Sequence, residues 1–334
     1  MMIFAAQEYR DRVAKLQMGM AAQGLDALLL TTAADIFYVT GFLTRFWASP
    51  ARPWFVIVPV ADDPVAVIPS IGAELMGQTW LHDIRTWDAP DPRDDGISLL
   101  AGALADLVPV QGQIGVPMGL ETHLRMPLAD YDLLRARLAP RQIVDATACI
   151  QRIREVKSEA EISKIRESCA VAGRAFARVP EFAAEGQPLS SIFRDFQIAL
   201  LTEGADWVSY VAGGAGPDGY GDVISPAGPQ PLRRGDILML DTGAVKNGYF
   251  CDFDRNFAIG PASDTARRAH AALWQATEDT LAHLRPGWRA CDVHAALCAG
   301  LHKYGATPSG GRLGHGLGIT LTEWPSLTPL DETP

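Results

Sequence analysis

The sequence predicts a two-domain protein in which an α/β domain precedes a domain that combines long helices with antiparallel strands. Its 334 residues exceed the usual size of one domain. Over about the first 150 residues, short apolar strands alternate with helices, which is typical of an α/β domain. Beyond that point the helices lengthen, and Gly and Pro clusters bracket the strands. We therefore place the domains at residues 1–152 and 153–334.

The first domain opens with a helix that has helical apolar spacing and ends at Gly24. A strand follows at DALLLTT, and ADIFYVTGF predicts a short helix that runs into a glycine turn. The runs PWFVIVPV and DPVAVIPSI are separated by Asp62, Asp63 and Pro64, so they predict a hairpin. Next we expect a helix in SLLAGALADLV, a strand in QIGVPMG and a helix in PLADYDLLRARL.

The second domain begins with a long helix. Ser158 followed by Glu161 has the form of a capping box, so the helix should start next to Ser158. Further on, Gly214 to Gly219 matches the GxGxxG dinucleotide fingerprint, but no helix start follows it to hold a pyrophosphate, and we expect a glycine loop. One later helix carries a row of zinc-type donors: Cys291, His294, Cys298 and His302. Along about three turns these donors cannot converge on one tetrahedral ion, so burial of that helix face explains them better.

Composition excludes several classes of partner. The net charge of −10 argues against binding to nucleic acid or to an anionic membrane surface. The five cysteines are scattered and odd in number, which indicates a reducing compartment rather than a disulfide framework. We recognise no signal peptide and no apolar run near the ~20 residues that a membrane helix requires. These features predict a cytoplasmic protein.

The stretch LDTGAVKNGYFCDFDRN, residues 240–256, places three aspartates in an apolar hairpin. Asn247 and Gly248 form the strongest short hairpin signal, and a two-residue turn there sets Asp241 opposite Asp254. Asp252 then falls opposite Gly243, and all three carboxylates project from one face. Carboxylates this close destabilise the fold unless a cation neutralises them, so the hairpin predicts a site for a hard divalent metal. The alternative is a solvated hairpin in which Arg233 or Arg255 pairs with the acids.

Four segments carry a resemblance to a known family: ADIFYVTGF (34–42), IREVKSEAEI (153–162), the RRGDILMLDTGA…DFDRNFAIG hairpin and GHGLG (314–318). In this order they resemble the pita-bread metallopeptidases, which include aminopeptidase P, prolidase, methionine aminopeptidase and creatinase. The resemblance covers essentially the whole chain. It implies a creatinase-type α/β N-terminal domain, an α+β pita-bread domain with a curved antiparallel sheet, and a homodimer.

The resemblance also implies a metal site. Metal-dependent members build a dinuclear Mn, Co or Zn centre from two aspartates, a histidine and two glutamates. Asp241 and Asp252 have the family spacing of the aspartates, and His315 opens the Gly-His-Gly motif as the family histidine does. The hairpin argument and the resemblance therefore select the same two aspartates.

Three departures from the peptidase pattern stand out. Thr322 lies seven positions after His315, where peptidase members carry a histidine, and a second family histidine before Asp241 has no counterpart. The two ligand glutamates of the family belong to strands that we expect beyond Pro334, so the catalytic domain is expected to lack its last strands. The runs DFDRNFA and TEWPS resemble the ectoine-hydrolase side of the family, and Asp254 stands where peptidase relatives usually carry Thr.

We therefore expect a metal-dependent C–N hydrolase of the prolidase and aminopeptidase P type, with a dipeptide or a small amidine as substrate. Asp254 and Thr322 are its candidate catalytic residues. The resemblance places the loop with Arg45, Trp47 and Arg52 near the partner's active site, where it would bind a substrate carboxylate. Two alternatives stay open: a metal-free hydrolase of the ectoine or creatinase kind, and a dimeric binding module with a degenerate site.

Overall fold

The structure is a computed structural model that describes residues 2–308 and 310–334. The chain divides into two compact units, unit 1 (Met1–Val156) and unit 2 (Lys157–Pro334). Within the described ranges, no helix combines the length and the hydropathy that a bilayer span requires.

Unit 1 contains six helices and six strands among its described residues. In chain order they are α1 (Ala6–Gln23), β1 (Ala27–Leu30), α2 (Ala33–Thr40), β2 (Phe55–Pro59), β3 (Val65–Pro69), α3 (Ala73–Met76), β4 (Asp83–Trp87), α4 (Ile97–Leu107), β5 (Gln113–Val116), α5 (Leu128–Leu138), β6 (Gln142–Asp145) and α6 (Thr147–Glu155). The elements predicted from the sequence for this half are all present. The strands β4 and β6 and the helices α3 and α6 were not predicted.

The six strands of unit 1 form one sheet in the order β4-β3-β2-β1-β5-β6. The strand β2 runs antiparallel to β1 and β3, and the other neighbouring pairs are parallel. All residues of β1, β2 and β3 are buried, which explains why these strands are nearly continuous apolar runs. Helices α4 and α5 contribute to the core on this sheet, for example through Leu100, Leu104, Leu134 and Leu138.

Unit 2 contains four helices and six strands among its described residues. They are α7 (Glu159–Ala177), α8 (Leu189–Thr202), β7 (Trp207–Pro217), β8 (Asp236–Lys246), β9 (Tyr249–Phe250), β10 (Phe253–Ala258), α9 (Asp264–His283), α10 (Ala290–Lys303), β11 (His315–Gly316) and β12 (Glu323–Ser326). The main sheet has the order β10-β8-β7 with β9 paired to β8, and every pairing in it is antiparallel. The GxGxxG run that we expected in a loop instead begins within β7, and its last glycine follows the strand.

The two faces of β8 have different surroundings because side chains alternate along a strand. Leu238 and Leu240 are fully buried in a core that also contains Phe176 and Phe196 from α7 and α8. Met239 and Asp241 alternate with them and line an open cleft on the other face. The helices therefore cover one side of the sheet and leave the other side available for a site.

The hairpin between β8 and β10 has the predicted turn and register. Asn247 and Gly248 both have positive φ values, 53° and 77°, as a type I′ turn requires. Lys246 pairs with Tyr249 at the turn, and Asp241 pairs with Asp254 further along the ladder. No slip of register occurs between these two pairs, so the prediction that the aspartates share one face is confirmed.

Helix α7 anchors this turn from the buried side. The Ser158–Glu161 capping box that starts α7 is present in both directions, as predicted. Ser168, which is 1% exposed, donates from Oγ to the carbonyl of Tyr249 at 2.7 Å and accepts from the amide of Lys246 at 3.0 Å. The hydroxyl of Tyr249 donates to the buried carboxylate of Glu161 at 3.0 Å. One helix thus fixes both ends of the two-residue turn.

We predict that Ser168→Ala lowers the free energy of unfolding by about 2 kcal/mol, because it removes the partner of a part-buried amide and a buried carbonyl. Urea unfolding monitored by circular dichroism measures the change. Ser163→Ala, at an exposed position of the same helix, is the matched control and should change stability by less than ~0.5 kcal/mol. Equal stability of the two variants would contradict the role assigned to Ser168.

Candidate active site

Unit 2 contains a cleft of about 650 Å³ beside the β7–β8–β10 sheet. Residues of the strands line it together with residues of the loops, among them the segment from Arg312 to Thr322. Its polar lining residues are Tyr210, Asp241, Asp252, Asp254, Arg312, His315 and Thr322. Five of these seven were candidate site residues from the sequence, and the structure brings all five into one cleft.

The centre of the cleft is a contact of two carboxylates with one phenol. The hydroxyl oxygen of Tyr210 lies 2.8 Å from Oδ1 of Asp252 and 3.2 Å from Oδ2 of Asp241. A phenol has one proton to donate, so it can satisfy only one of the two carboxylates at a time. Tyr210 was not predicted from the sequence, since a tyrosine in a strand carries no signal of its own.

Burial and like charge perturb the acids. Desolvation, followed by the charge of Asp252, raises the pKa of Asp241 to about 6. Desolvation and the hydrogen bond to Asp252 raise the pKa of Tyr210 well above its ordinary value, so the phenol stays protonated. Neither Arg233 nor Arg255 pairs with a carboxylate of the cluster in the described contacts. Arg255 donates to the backbone carbonyl of Asp254 and lies over the ring of Phe253.

His315 reaches the same cluster from β11. Its Nε2 lies 3.1 Å from Oδ2 of Asp252, and its Nδ1 lies 2.7 Å from the carbonyl oxygen of Gly316. A carbonyl can only accept, so Nδ1 carries a proton, and the neutral imidazole presents a lone pair at Nε2. The hydrogen bond to Asp252 favours the doubly protonated ring and therefore raises the pKa of His315.

Asp254 and Thr322 also line the cleft. Asp254 is exposed, although the surrounding protein removes enough water to raise its pKa, an effect that the charge of Arg255 opposes. The Oγ1 of Thr322 accepts a 3.4 Å hydrogen bond from the guanidinium of Arg312. Thr322 thus positions a cation in the cleft. Arg312 was missed from the sequence, and its place three residues before His315 was the only available signal.

Arg45, Trp47 and Arg52 belong to unit 1, where Arg125 organises their segment. The guanidinium of Arg125 lies 5.1 Å from the ring centre of Trp47 and donates to the carbonyl of Arg52 at 3.0 Å. Arg52 itself has a positive φ of 59°, which a non-glycine residue adopts only when its surroundings hold it there. The substrate-binding role of the three residues stays a prediction.

Glu323 is the acid nearest in sequence to the Gly-His-Gly segment, and its side chain forms an ion pair and a hydrogen bond within unit 2. Its carboxylate pairs with Lys157 at 3.0 Å and accepts from the amide of Thr320 at 3.0 Å, with the side chain almost fully buried. It does not line the cleft.

Comparison with known proteins decides the family. The profile of the creatinase/prolidase N-terminal domain matches residues 12–156, and that of metallopeptidase family M24 matches residues 163–334. The chain belongs to metallopeptidase family M24. The resemblance noted from the sequence is thereby confirmed, and with it the assignment of the chain to a family of hydrolases.

Curated relatives of this M24 protein span almost all of its length. The probable dipeptidase PepE of Mycobacterium tuberculosis is 29% identical over 332 residues, which cover 97% of this chain and 84% of the relative. The Xaa-Pro dipeptidase of Pyrococcus horikoshii is 21% identical, covering 97% of this chain and 86% of the relative. The ectoine hydrolase of Halomonas elongata is 25% identical over 356 residues, covering 99% and 86%.

Solved structures confirm the predicted fold. The crystal structure of dipeptidase PepE from Mycobacterium ulcerans superposes with a TM-score of 0.83 at 26% identity, covering 99% of this chain and 86% of that one. The prolidase from Thermococcus sibiricus gives a TM-score of 0.84 at 22% identity, covering 97% and 86%. Because the Thermococcus sibiricus prolidase is only 22% identical to this chain, its similarity supports the fold alone.

Membership of M24 implies the use of a divalent metal, and the donors in the cleft suit one by type. Two mutually repelling carboxylates and an imidazole are ligands that Mn, Co and Zn accept. Within residues 2–308 and 310–334, however, no three His, Cys, Asp or Glu side chains converge on one point that could hold an ion. Tyr210 contacts both carboxylates, and His315 contacts the other oxygen of Asp252.

We predict that Asp241→Asn stabilises the metal-free protein at about pH 7 by roughly 1–2 kcal/mol, a figure reduced for partial exposure. The pKa of Asp241 rises from 3.8 in the unfolded chain to about 6 in the fold. The folded protein therefore holds this proton more tightly, and the stability it contributes is present below pH 3.8 and lost as the pH rises through 6.

Urea unfolding in EDTA at several pH values between about 4 and 8 measures this effect. The gain from Asp241→Asn should vanish towards the acid end of the range. Asp264→Asn, an exposed aspartate on α9, is the control and should differ from the wild type by the same small amount throughout. A gain that does not depend on pH would show that the charge of Asp241 is not its cause.

Proposed function

We propose that this M24 protein is a metal-dependent hydrolase that cleaves the C–N bond of dipeptides of the Xaa-Pro type. The observation that carries the proposal is the cluster of Asp241, Asp252 and His315 in one cleft of the M24 domain. The names of the PepE and Xaa-Pro dipeptidase relatives support the substrate class. We include two ions of Mn, Co or Zn, a homodimer and a cytoplasmic location as parts of the proposal. The free state of all five cysteines supports a reducing compartment.

In this mechanism Asp241, Asp252 and His315 would hold the divalent metal, which when bound would polarise a carbonyl and lower the pKa of water. Above about pH 6 Asp241 is ionised and available as a ligand. The Nδ1–H of His315 donates to Gly316, and this bond keeps Nε2 directed at the cluster. We assign to Asp254, an exposed residue of the cleft with a raised pKa, the role of accepting a proton from the attacking water and passing it to the leaving amine.

We assign the positively charged side chain of Arg312 to substrate recognition. Its guanidinium lines the cleft and bonds to the hydroxyls of Thr322 and Ser326 at 3.4 and 3.5 Å. A carboxylate is a stronger acceptor than these hydroxyls, because it takes two parallel bonds from a guanidinium. The terminal carboxylate of a dipeptide is the group that we assign to it.

A second candidate function is hydrolysis of a cyclic amidine. The ectoine hydrolase relative and the third carboxylate, Asp254, favour it. In that reaction the acids of the cleft would act as general base or nucleophile. It differs from the first candidate in its substrate and in its need for a metal.

We predict turnover of Xaa-Pro dipeptides by the full chain with Mn²⁺, Co²⁺ or Zn²⁺ and none in EDTA. Asp241→Ala should lower kcat/KM by roughly 100-fold or more, since a metal contributes several kcal/mol to the transition state. Asp264→Asn serves as the control and should keep full activity. Turnover of ectoine that persists in EDTA would establish the second candidate instead. Binding without turnover of either substrate would indicate a non-catalytic module.

We predict that Arg312→Met raises KM for dipeptides with a free carboxylate by roughly 10- to 100-fold, the size of a lost charged hydrogen bond. The same variant should leave KM nearly unchanged for dipeptides amidated at the C-terminus. Initial rates with the two substrate series measure this difference, and Arg312→Lys should recover part of the loss. Arg267→Met, an exposed arginine of α9, is the control. An equal loss for both series would exclude recognition of the carboxylate.

A further inference from the structure

The position of the Tyr210 hydroxyl is built by three features of the sheet. Between Val208 and Val211 the β7–β8 ladder shifts register, so Tyr210 lies at a bulge, where a strand turns a side chain in a new direction. A Cβ atom on Gly243 would lie 2.4 Å from the ring of Tyr210, so only glycine at 243 admits the ring. The hydroxyl of Thr242 donates to the backbone carbonyl of Tyr210 at 3.2 Å and ties the bulge to β8.

These features direct the hydroxyl to the point that both acids share. It contacts one oxygen of Asp241 and one oxygen of Asp252, at 3.2 and 2.8 Å. In the absence of a cation, the phenol is the donor that reduces the repulsion between the two carboxylates. A cation bound by the same two oxygens needs their lone pairs and the space between them.

We infer that the Tyr210 hydroxyl is the group that a divalent cation must displace from Asp241 and Asp252, so that Tyr210 limits the metal affinity of the site. The inference rests on the proposed function, because it concerns the metal that this function requires. It adds that the Tyr210 hydroxyl acts as a competitor of the ion for the carboxylates of Asp241 and Asp252. The competitor stabilises the cleft before loading and raises the cation concentration at which loading occurs.

Tyr210→Phe tests this inference, because it deletes the hydroxyl and keeps the ring against Gly243. Titration calorimetry of the full chain with MnCl₂ should show roughly tenfold tighter binding by this variant, as one hydrogen bond to a charged acceptor no longer has to break. Tyr220→Phe is the matched control. Its hydroxyl donates to Asn256 at 2.8 Å and to neither metal-site aspartate in the described contacts, so Mn²⁺ affinity should stay within about twofold of the wild type.

Thermal unfolding supplies a readout that a purely structural role would not produce. In EDTA, Tyr210→Phe should unfold at a lower temperature than the wild type, because the carboxylates lose their donor. In saturating MnCl₂ the variant should gain more stability than the wild type gains. If Tyr210→Phe does not fold, Gly243→Ala provides the second variant, since its Cβ pushes the ring and the hydroxyl away from the acids and should also tighten Mn²⁺ binding.

Mn²⁺ binding by Tyr210→Phe that equals or is weaker than that of the wild type overturns the inference and leaves the proposed function intact. Binding by Tyr210→Phe when the wild type binds nothing gives it the strongest support. Absence of Mn²⁺ binding from every variant overturns both, because the metal dependence of the proposed function then fails as well.

Discussion

The register of the β8–β10 hairpin is the constraint on which the cleft of unit 2 depends. Side chains alternate along a strand, so a slip of one residue would turn Asp241 into the core and expose Leu240. The turn at Asn247 and Gly248 sets the register, and the buried hydroxyl of Ser168 holds both of its ends. Because the turn is fixed, Asp241 and Asp254 lie the same number of residues from it and pair with one another. The site is therefore positioned by hydrogen bonds remote from it.

A register that gathers acids on one face creates a site that opposes folding. Asp241 and Asp252 repel one another in a half-buried setting, and among the described contacts the single proton of Tyr210 is the donor that they share. Local conflicts of this kind concentrate at functional sites, where charge is arranged for a ligand rather than for stability. The large apolar core on the other face of the same strand offsets the cost. Strand β8 thus contributes core residues from one face and cleft residues from the other.

The cleft combines family features with features particular to this chain. Asp241, Asp252 and His315, which the resemblance selected as candidate ligands, lie together in the cleft. Thr322, in contrast, contacts the guanidinium of Arg312, so a cation stands where the sequence pattern alone suggested only the loss of a histidine. This side of the cleft therefore differs from a site that has only lost a histidine. It includes the permanently charged guanidinium of Arg312.

Local sequence signals determined much of this protein: the helix that begins after Ser158, the turn at Asn247, and the side of the sheet on which the aspartates lie. Each follows from neighbours a few residues apart, where capping, turn chemistry and alternation act. Tyr210, Arg312 and the pairing of Glu323 with Lys157 were decided by tertiary structure alone. Their partners lie 10 to 166 residues away along the chain. A tyrosine in a strand or an arginine in a loop carries no local signal that predicts its partner. The bulge in β7 and the missing side chain of Gly243 help to bring the phenol to the acids, and both act through space rather than along the sequence.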